Sequence, residues 1–153
     1  MRVYLVQHGM AFSKEQDPER SLTEEGKEAS RLVSQRLKAA GSEVFVIWHS
    51  GKTRARQTAE IFAENLQIPR RIMEHSNLAP KDSVEPIAEE LRKMSHDLMI
   101  VGHLPFLSKL AGLLLTGDAE AEPVGFSNSG VVCLEQGEKT WQLRWALVPQ
   151  LLK

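Results

Sequence analysis

His8, His49 and His103 each follow a short apolar run. Val3-Tyr4-Leu5-Val6 leads into Gln7-His8-Gly9, Val44-Phe45-Val46-Ile47-Trp48 into His49-Ser50-Gly51, and Leu98-Met99-Ile100-Val101 into Gly102-His103. Runs of this length, rich in β-branched and aromatic residues, read as strands covered on both faces of a sheet. Such a strand can present an imidazole at its carboxyl end, where open α/β sheets bind ligands. One histidine so placed is most simply a hydrogen-bonded strand-end residue. Three in a chain of 153 residues point to a shared site.

The second strand end opens into Ser50-Gly51-Lys52-Thr53-Arg54-Ala55-Arg56-Gln57-Thr58, a glycine turn starting a helix and carrying three cations. A helix start offers unpaired N–H groups and a positive dipole end, which favour an anion and disfavour cations. A bound phosphate explains why Lys52 and Arg54 stand there; Arg56 reads more simply as part of a solvated face. Neutral imidazole is a competent nucleophile toward phosphorus, and a guanidinium matches phosphate oxygens as a fork. A zinc site built from the same histidines is the competing reading. The chain has neither a His-x-x-x-His pair nor paired cysteines to support it.

The elements that would position these residues follow from apolar periodicity. After the first strand comes a polar loop, Ala11 to Ser21. Thr23 then reads as an N-cap with acids behind it, and Ala29, Leu32, Val33, Leu37 and Ala40 form a helical stripe that Gly41 ends. Helix two follows Gly51, with Ala55, Ala59, Phe62 and Leu66 on one face and Pro69 as its bound. Arg70 to Met73 reads as an edge strand. Ser83 reads as the N-cap of a third helix, burying Val84, Ile87, Ala88, Leu91 and Met94, with Pro86 in the tolerant first turn. Pro105 opens a very apolar helix ending near Gly117. Asp118 to Ser129 lacks periodicity and reads as a loop. Val131 to Leu134 and Gln142 to Leu147 read as a hairpin across residues 136–139, with Trp141, Leu143, Trp145 and Leu147 on its buried face. The alternation of strands and helices predicts a three-layer α/β/α sandwich on a mostly parallel sheet, one domain over residues 1–153.

Composition limits the partners. A net charge of −1 with 25% charged and 42% hydrophobic residues gives no electrostatic case for nucleic acid or a membrane surface. The densest apolar run, Leu110 to Leu115, is far below the roughly 20 residues of a membrane span. The chain starts directly in a strand, and its lone Cys133 rules out an internal disulfide. The expectation is a cytoplasmic domain.

Gln7-His8-Gly9, Leu22-Thr23-x-x-Gly26, Ser50-x-x-x-Arg54-Ala55-x-Gln57-Thr58 and Gly102-His103-Leu104-Pro105 together resemble the histidine phosphatase superfamily, the phosphoglycerate-mutase-like group. The short chain and the Gly-His-Leu-Pro form resemble its SixA-type phosphohistidine phosphatases. The resemblance covers essentially the whole chain. It implies a phosphoglycerate-mutase-like fold and a ping-pong phosphoryl transfer that needs no metal or other cofactor. His8 would attack phosphorus and water would then release phosphate, with Arg54 holding the equatorial oxygens and His103, as imidazolium, offsetting their charge. Gly9 and Ser50 would bind the phosphoryl group beside them.

The resemblance breaks at one position. The family motif begins Arg-His-Gly, and here the first residue is Gln7, which can donate one hydrogen bond to phosphate but brings no charge. Lys52 or Arg20 could supply that charge. A general acid is also hard to find, with Asp82 and Glu85 as candidates. A phosphohistidine substrate relaxes that need, because a protonated imidazole departs as a neutral molecule. The expected activity is therefore phosphohistidine phosphatase on a phosphorylated protein. A catalytically weakened phosphate- or phosphohistidine-binding module and a small-molecule phosphomonoesterase are the alternatives.

Overall fold

The computed structural model describes residues 1–153. Its elements run β1 (Arg2–Gln7), α1 (Glu24–Ala39), β2 (Val46–His49), α2 (Thr53–Asn65), β3 (Ile72–Glu74), α3 (Glu85–Lys93), β4 (Leu98–Gly102), α4 (Phe106–Thr116), β5 (Val131–Gln136) and β6 (Trp141–Leu147), with a 3-10 turn at Pro149–Leu152. The six strands form one sheet in the order β3-β2-β4-β1-β5-β6. The first four are parallel, and β5 and β6 close the sheet as an antiparallel hairpin.

Side-chain alternation sends the two halves of each strand to opposite layers. Tyr4, Val6, Ile47, Met99 and Val101 pack against Val33 and Leu37 of α1 and Ala59 and Phe62 of α2. Val3, Leu5, Leu98 and Ile100 pack against Ile87 and Leu91 of α3 and Phe106, Leu107 and Leu110 of α4. The expected three-layer sandwich is thus present, with a core on each face of the sheet. Each fully buried Leu, Ile or Phe side chain stabilises such a core by about 1.5–3 kcal/mol. No helix is long and apolar enough to cross a membrane.

Helix limits follow local chemistry. Thr23 caps α1 as expected, its hydroxyl accepting from the Gly26 amide at 3.0 Å, and Gly117 ends α4 in the left-handed region at φ 81°. The third helix differs from the sequence reading. Val84, not Ser83, is its N-cap, and the Ser83 hydroxyl meets only the Glu85 amide, at 3.4 Å. The edge strand starts two residues later than expected and ends one later, because it is Ile72 to Glu74 that pair with Ile47 to His49. The hairpin turn likewise moves one residue on, as Gln136 still pairs with Trp141.

The hairpin also buries a different set of residues. Cys133 pairs with Trp145 but Leu134 with Leu143, so Arg144 is an extra residue in β6. This bulge shifts the side-chain phase. Trp141 packs into the α3/α4 core, Trp145 and Leu147 lean on the α1/α2 core, and Leu143 is left exposed.

One glycine is fixed by a close approach. A Cβ on Gly26 would sit 2.2 Å from the Met10 carbonyl oxygen and 2.9 Å from the Met10 nitrogen. The first turn of α1 therefore lies directly on the segment that follows His8. Gly26→Ala is expected to cost at least about 2 kcal/mol, within the range for overpacking a closely packed site. It should lower activity as well, because the backbone that must yield is two residues from His8. Thermal melting and turnover measured on one preparation would check both effects; an unchanged melting temperature would contradict them.

Candidate active site

His8 and His103 lie just past the carboxyl ends of the central strands β1 and β4, with the His8 amide donating to the Gly102 carbonyl at 3.0 Å. Their ring centroids are 5.1 Å apart. His49 does not join them. It is the last residue of β2, and its Nδ1 accepts from the Gly51 amide at 3.1 Å. The third strand end contributes the next residue instead: the Ser50 hydroxyl stands 2.6 Å from His103 Nε2. The expected meeting of three histidines becomes two histidines and a serine.

The hydrogen bonds of His8 fix its chemistry. Nδ1 lies 2.8 Å from the Gly9 carbonyl oxygen, which can only accept, so Nδ1 carries the proton and Nε2 keeps a lone pair. Burial lowers the His8 pKa to about 4, assisted by the charges of Arg54 and Arg20 and opposed by the Gly9 carbonyl. The ring is therefore neutral at neutral pH. His103 is lowered to about 3, first by burial and then by His8, Arg54, Lys52 and Arg20. His103 is therefore also neutral at neutral pH.

Arg54 lies in the first turn of α2. Burial, and then the charge of Arg20, lowers its pKa, and its Nε is buried without a partner. The helix start around it has no side-chain cap and no acid in its first turn, leaving amides free for an anion. The charge of Arg20 registers on His8, Arg54 and His103, whereas that of Lys52 registers on His103 alone. Of the two cations considered to offset Gln7, Arg20 thus acts on more of the site's groups. It projects from the polar loop, which is more ordered than its composition suggests. An Ala11–Leu22 bridge closes that loop, Arg20 Nε donates to the Phe12 carbonyl at 3.1 Å, and the Leu22 amide donates to Gln57 Oε1 at 2.8 Å. Arg56 pairs with Glu60 at 2.6 Å on the exposed face of α2.

Every buried side-chain nitrogen or oxygen without a hydrogen-bond partner belongs to this site: Gln7 Oε1, Arg54 Nε and His103 Nδ1. An incoming oxyanion would satisfy Arg54 and a protonated His103. The Gln7 oxygen calls instead for a donor. Gly9, expected to bind the phosphoryl group, has its amide committed to Thr58 Oγ1 at 2.9 Å. A Cβ on Gly9 would lie 3.0 Å from the Gly26 carbonyl oxygen and from Ser129 Oγ. Glycine is there for packing. Of the two acid candidates, Asp82 accepts from the Ala79 amide at 2.9 Å and closes its own turn, while Glu85 is exposed in the first turn of α3. Neither hydrogen-bonds to a residue of the site. No three His, Cys, Asp or Glu side chains are grouped as a metal ion would require.

Two supporting residues escaped the sequence reading. Asn128 Nδ2 donates to the His8 carbonyl at 2.9 Å, and the Ser129 amide donates to the Gln7 carbonyl at 2.9 Å. Ser129 Oγ in turn lies 2.8 Å from Ser30 Oγ of α1. Both residues close a segment with no periodicity, and their partners are about 100 residues or more away in the chain. No local signal marks them.

The assembled site holds a free imidazole lone pair beside a nest of cations and helix-start amides, an arrangement suited to taking up a phosphoryl group. Residues 3–78 match the family model of the histidine phosphatase superfamily (branch 1). An uncharacterized protein of Picosynechococcus sp. is 30% identical over 144 residues, covering 90% of this chain and 86% of that one. Phosphohistidine phosphatase SixA of Escherichia coli is 27% identical over 161 residues, covering 100% and 97%. The solved structure of the protein histidine phosphatase SixA complexed with tungstate superposes with a TM-score of 0.89 at 26% identity, over 100% of both chains. The chain belongs to the histidine phosphatase superfamily, a family of phosphatase hydrolases, and is of the SixA type within it.

Proposed function

We propose that the protein removes the phosphoryl group from a phosphohistidine on a partner protein, through a covalent phosphohistidine on His8. The observation that carries this reading is the committed tautomer of His8, with Nδ1–H held by the Gly9 carbonyl and a neutral ring at neutral pH. Nε2 attacks phosphorus as the P–N bond to the substrate imidazole breaks, and the electron pair of that bond stays with the leaving ring. A leaving ring already protonated on its other nitrogen needs little acid help, which suits a site where Asp82 and Glu85 are engaged or exposed elsewhere. Water then attacks the phosphoenzyme, releasing inorganic phosphate and restoring His8.

Arg54, Arg20 and the free amides of α2 hold the non-bridging oxygens, with Ser50 and Lys52 beside them. His103 takes up a proton as the dianion arrives and offsets the charge of the transition state. These cations do the electrostatic work that a metal ion does elsewhere, so the reaction is metal-independent. A histidine-phosphorylated partner and a place in intracellular signalling follow from that substrate. One observation favours a second reading. The unpartnered Gln7 oxygen stands where the family pattern has a cation, which suits a module that binds phosphate or phosphohistidine with little turnover.

Hydrolysis of phosphohistidine, a nitrophenyl phosphate and a sugar phosphate at one pH tests the substrate class. The first two are expected to react much faster than the third, with no loss of rate on adding a chelator. Equal rates for all three would require a true general acid and would favour a general phosphomonoesterase. Chelator-sensitive activity restored by zinc would overturn the metal-free reaction.

A further inference from the structure

His49 is 6% exposed and lies outside the proposed chemistry, yet it holds the turn on which much of the site hangs. The Gly51 amide donates to its Nδ1 at 3.1 Å. An amide can only donate here, so Nδ1 carries the lone pair and the ring proton sits on Nε2. Burial holds the His49 pKa below the usual imidazole range. Glu74 of β3 and Glu60 of α2 oppose that shift, and Arg56 of α2 adds to it. Gly51 itself lies at φ 90°, and a Cβ there would come within 2.6 Å of the Glu74 carboxyl carbon. The His49 lone pair therefore holds the turn, and the Glu74 side chain of β3 lies beside it.

This turn carries two parts of the anion site at once. Ser50 meets His103 Nε2 at 2.6 Å and the Lys52 amide at 3.4 Å. Lys52 is the N-cap residue of α2, so the same few backbone atoms set the direction in which the uncapped helix start and Arg54 face. We propose that His49 is a positioning residue, whose neutral ring locks the Ser50–Lys52 turn through the Gly51 amide and so holds Ser50 and the α2 start in register with His8 and His103. A protonated His49 would set an N–H against the Gly51 N–H and lose the contact. The inference rests on the phosphatase reading only for the nature of the anion.

The test uses tungstate as the probe, so that binding is read apart from turnover. Calorimetry at pH 7.5 would compare the wild-type protein with His49→Asn, whose side-chain oxygen can still accept, and with His49→Leu, which fills similar volume without an acceptor. His49→Leu is expected to weaken binding about tenfold, the upper end for a lost neutral hydrogen bond, and His49→Asn to stay within about threefold of wild type. Nitrogen-15 spectra of the wild-type rings, assigned through the signal missing in His49→Asn, are expected to show Nδ1 unprotonated and Nε2 protonated. A wild-type ring protonated on Nδ1 overturns the proposal even if His49→Leu does not fold. So does His49→Leu binding as tightly as wild type, or a folded His49→Asn binding as weakly as His49→Leu. A wild-type protein that binds tungstate but never forms phospho-His8 would overturn the catalytic reading and leave the positioning role standing.

Discussion

Replacing His8 with alanine is expected to abolish the phosphoenzyme and to lower turnover by about a thousandfold or more, since losing a covalent nucleophile can cost up to about a millionfold. The site would keep its cations, so tungstate should still bind. Mass spectrometry after incubation with a phosphoramidate reads the first effect and calorimetry the second. A phosphorylated His8→Ala protein would place the nucleophile elsewhere. The wild-type rate should fall as pH drops through about 4, where the His8 lone pair takes up a proton. Stability should respond to acid earlier. The folded pKa values of about 4 for His8 and about 3 for His103 lie below the ordinary 6.5, so the unfolded chain binds protons first. The stability tied to these neutral rings is fully present above about pH 6.5 and is lost as pH falls from there, through about 4 for His8 and about 3 for His103. His8→Ala removes one of the two groups. Its melting temperature should therefore fall less than that of the wild type between pH 7.5 and pH 4.5.

Arg54→Ala is expected to lower kcat/KM by about a hundred- to a thousandfold, the range for removing one preorganised donor from a developing oxyanion. Arg54→Lys should recover little, because a point charge does not reproduce a planar fork. The partner to watch is Arg20, whose charge reaches all three central groups where that of Lys52 reaches one. If Arg20 compensates for Gln7, Arg20→Ala will be severe alone and milder in a Gln7→Arg background, since residues sharing one ligand are not additive. Lys52→Ala will cost less than Arg20→Ala in both. Equal costs for Arg20→Ala in the two backgrounds would refute compensation. A parent protein and a Gln7→Arg variant that both bind phosphate without forming phospho-His8 would favour the binding module.

What the sequence revealed and what it hid divide along a physical line. The buried strands, the Thr23 cap and the helix ends at Gly41 and Gly117 depend on residues within a few positions of one another, and periodicity exposes them. The placement of His8, His103 and Arg54 at neighbouring ends of the sheet was legible because strand ends and helix starts of a parallel sheet converge by topology. The role of Gly9 was not, since its amide is claimed by Thr58, 49 residues away. Asn128 and Ser129 matter only through partners in other layers of the sandwich. The fate of His49 was decided by one amide two residues on, a matter of turn geometry that apolar spacing does not report. In the hairpin, alternation at β6 promised one buried face, and the extra residue at Arg144 broke it.

That extra residue also bears on how molecules of this protein meet. The sheet ends in two open edges, β3 and β6, whose unpaired N–H and C=O groups invite another chain to add a strand. The β3 edge is only three residues long. The β6 edge is seven residues long and carries an exposed Leu143 next to its central residue. Without the bulge it would be a flat, partly apolar template. Arg144 twists that edge at its middle and brings a cation to it, its Nε 3.8 Å from Glu135 of β5. A bulge and a charge at the middle of an edge strand are features that disfavour edge-to-edge pairing of sheets, and the irregularity that spoils the pattern supplies both.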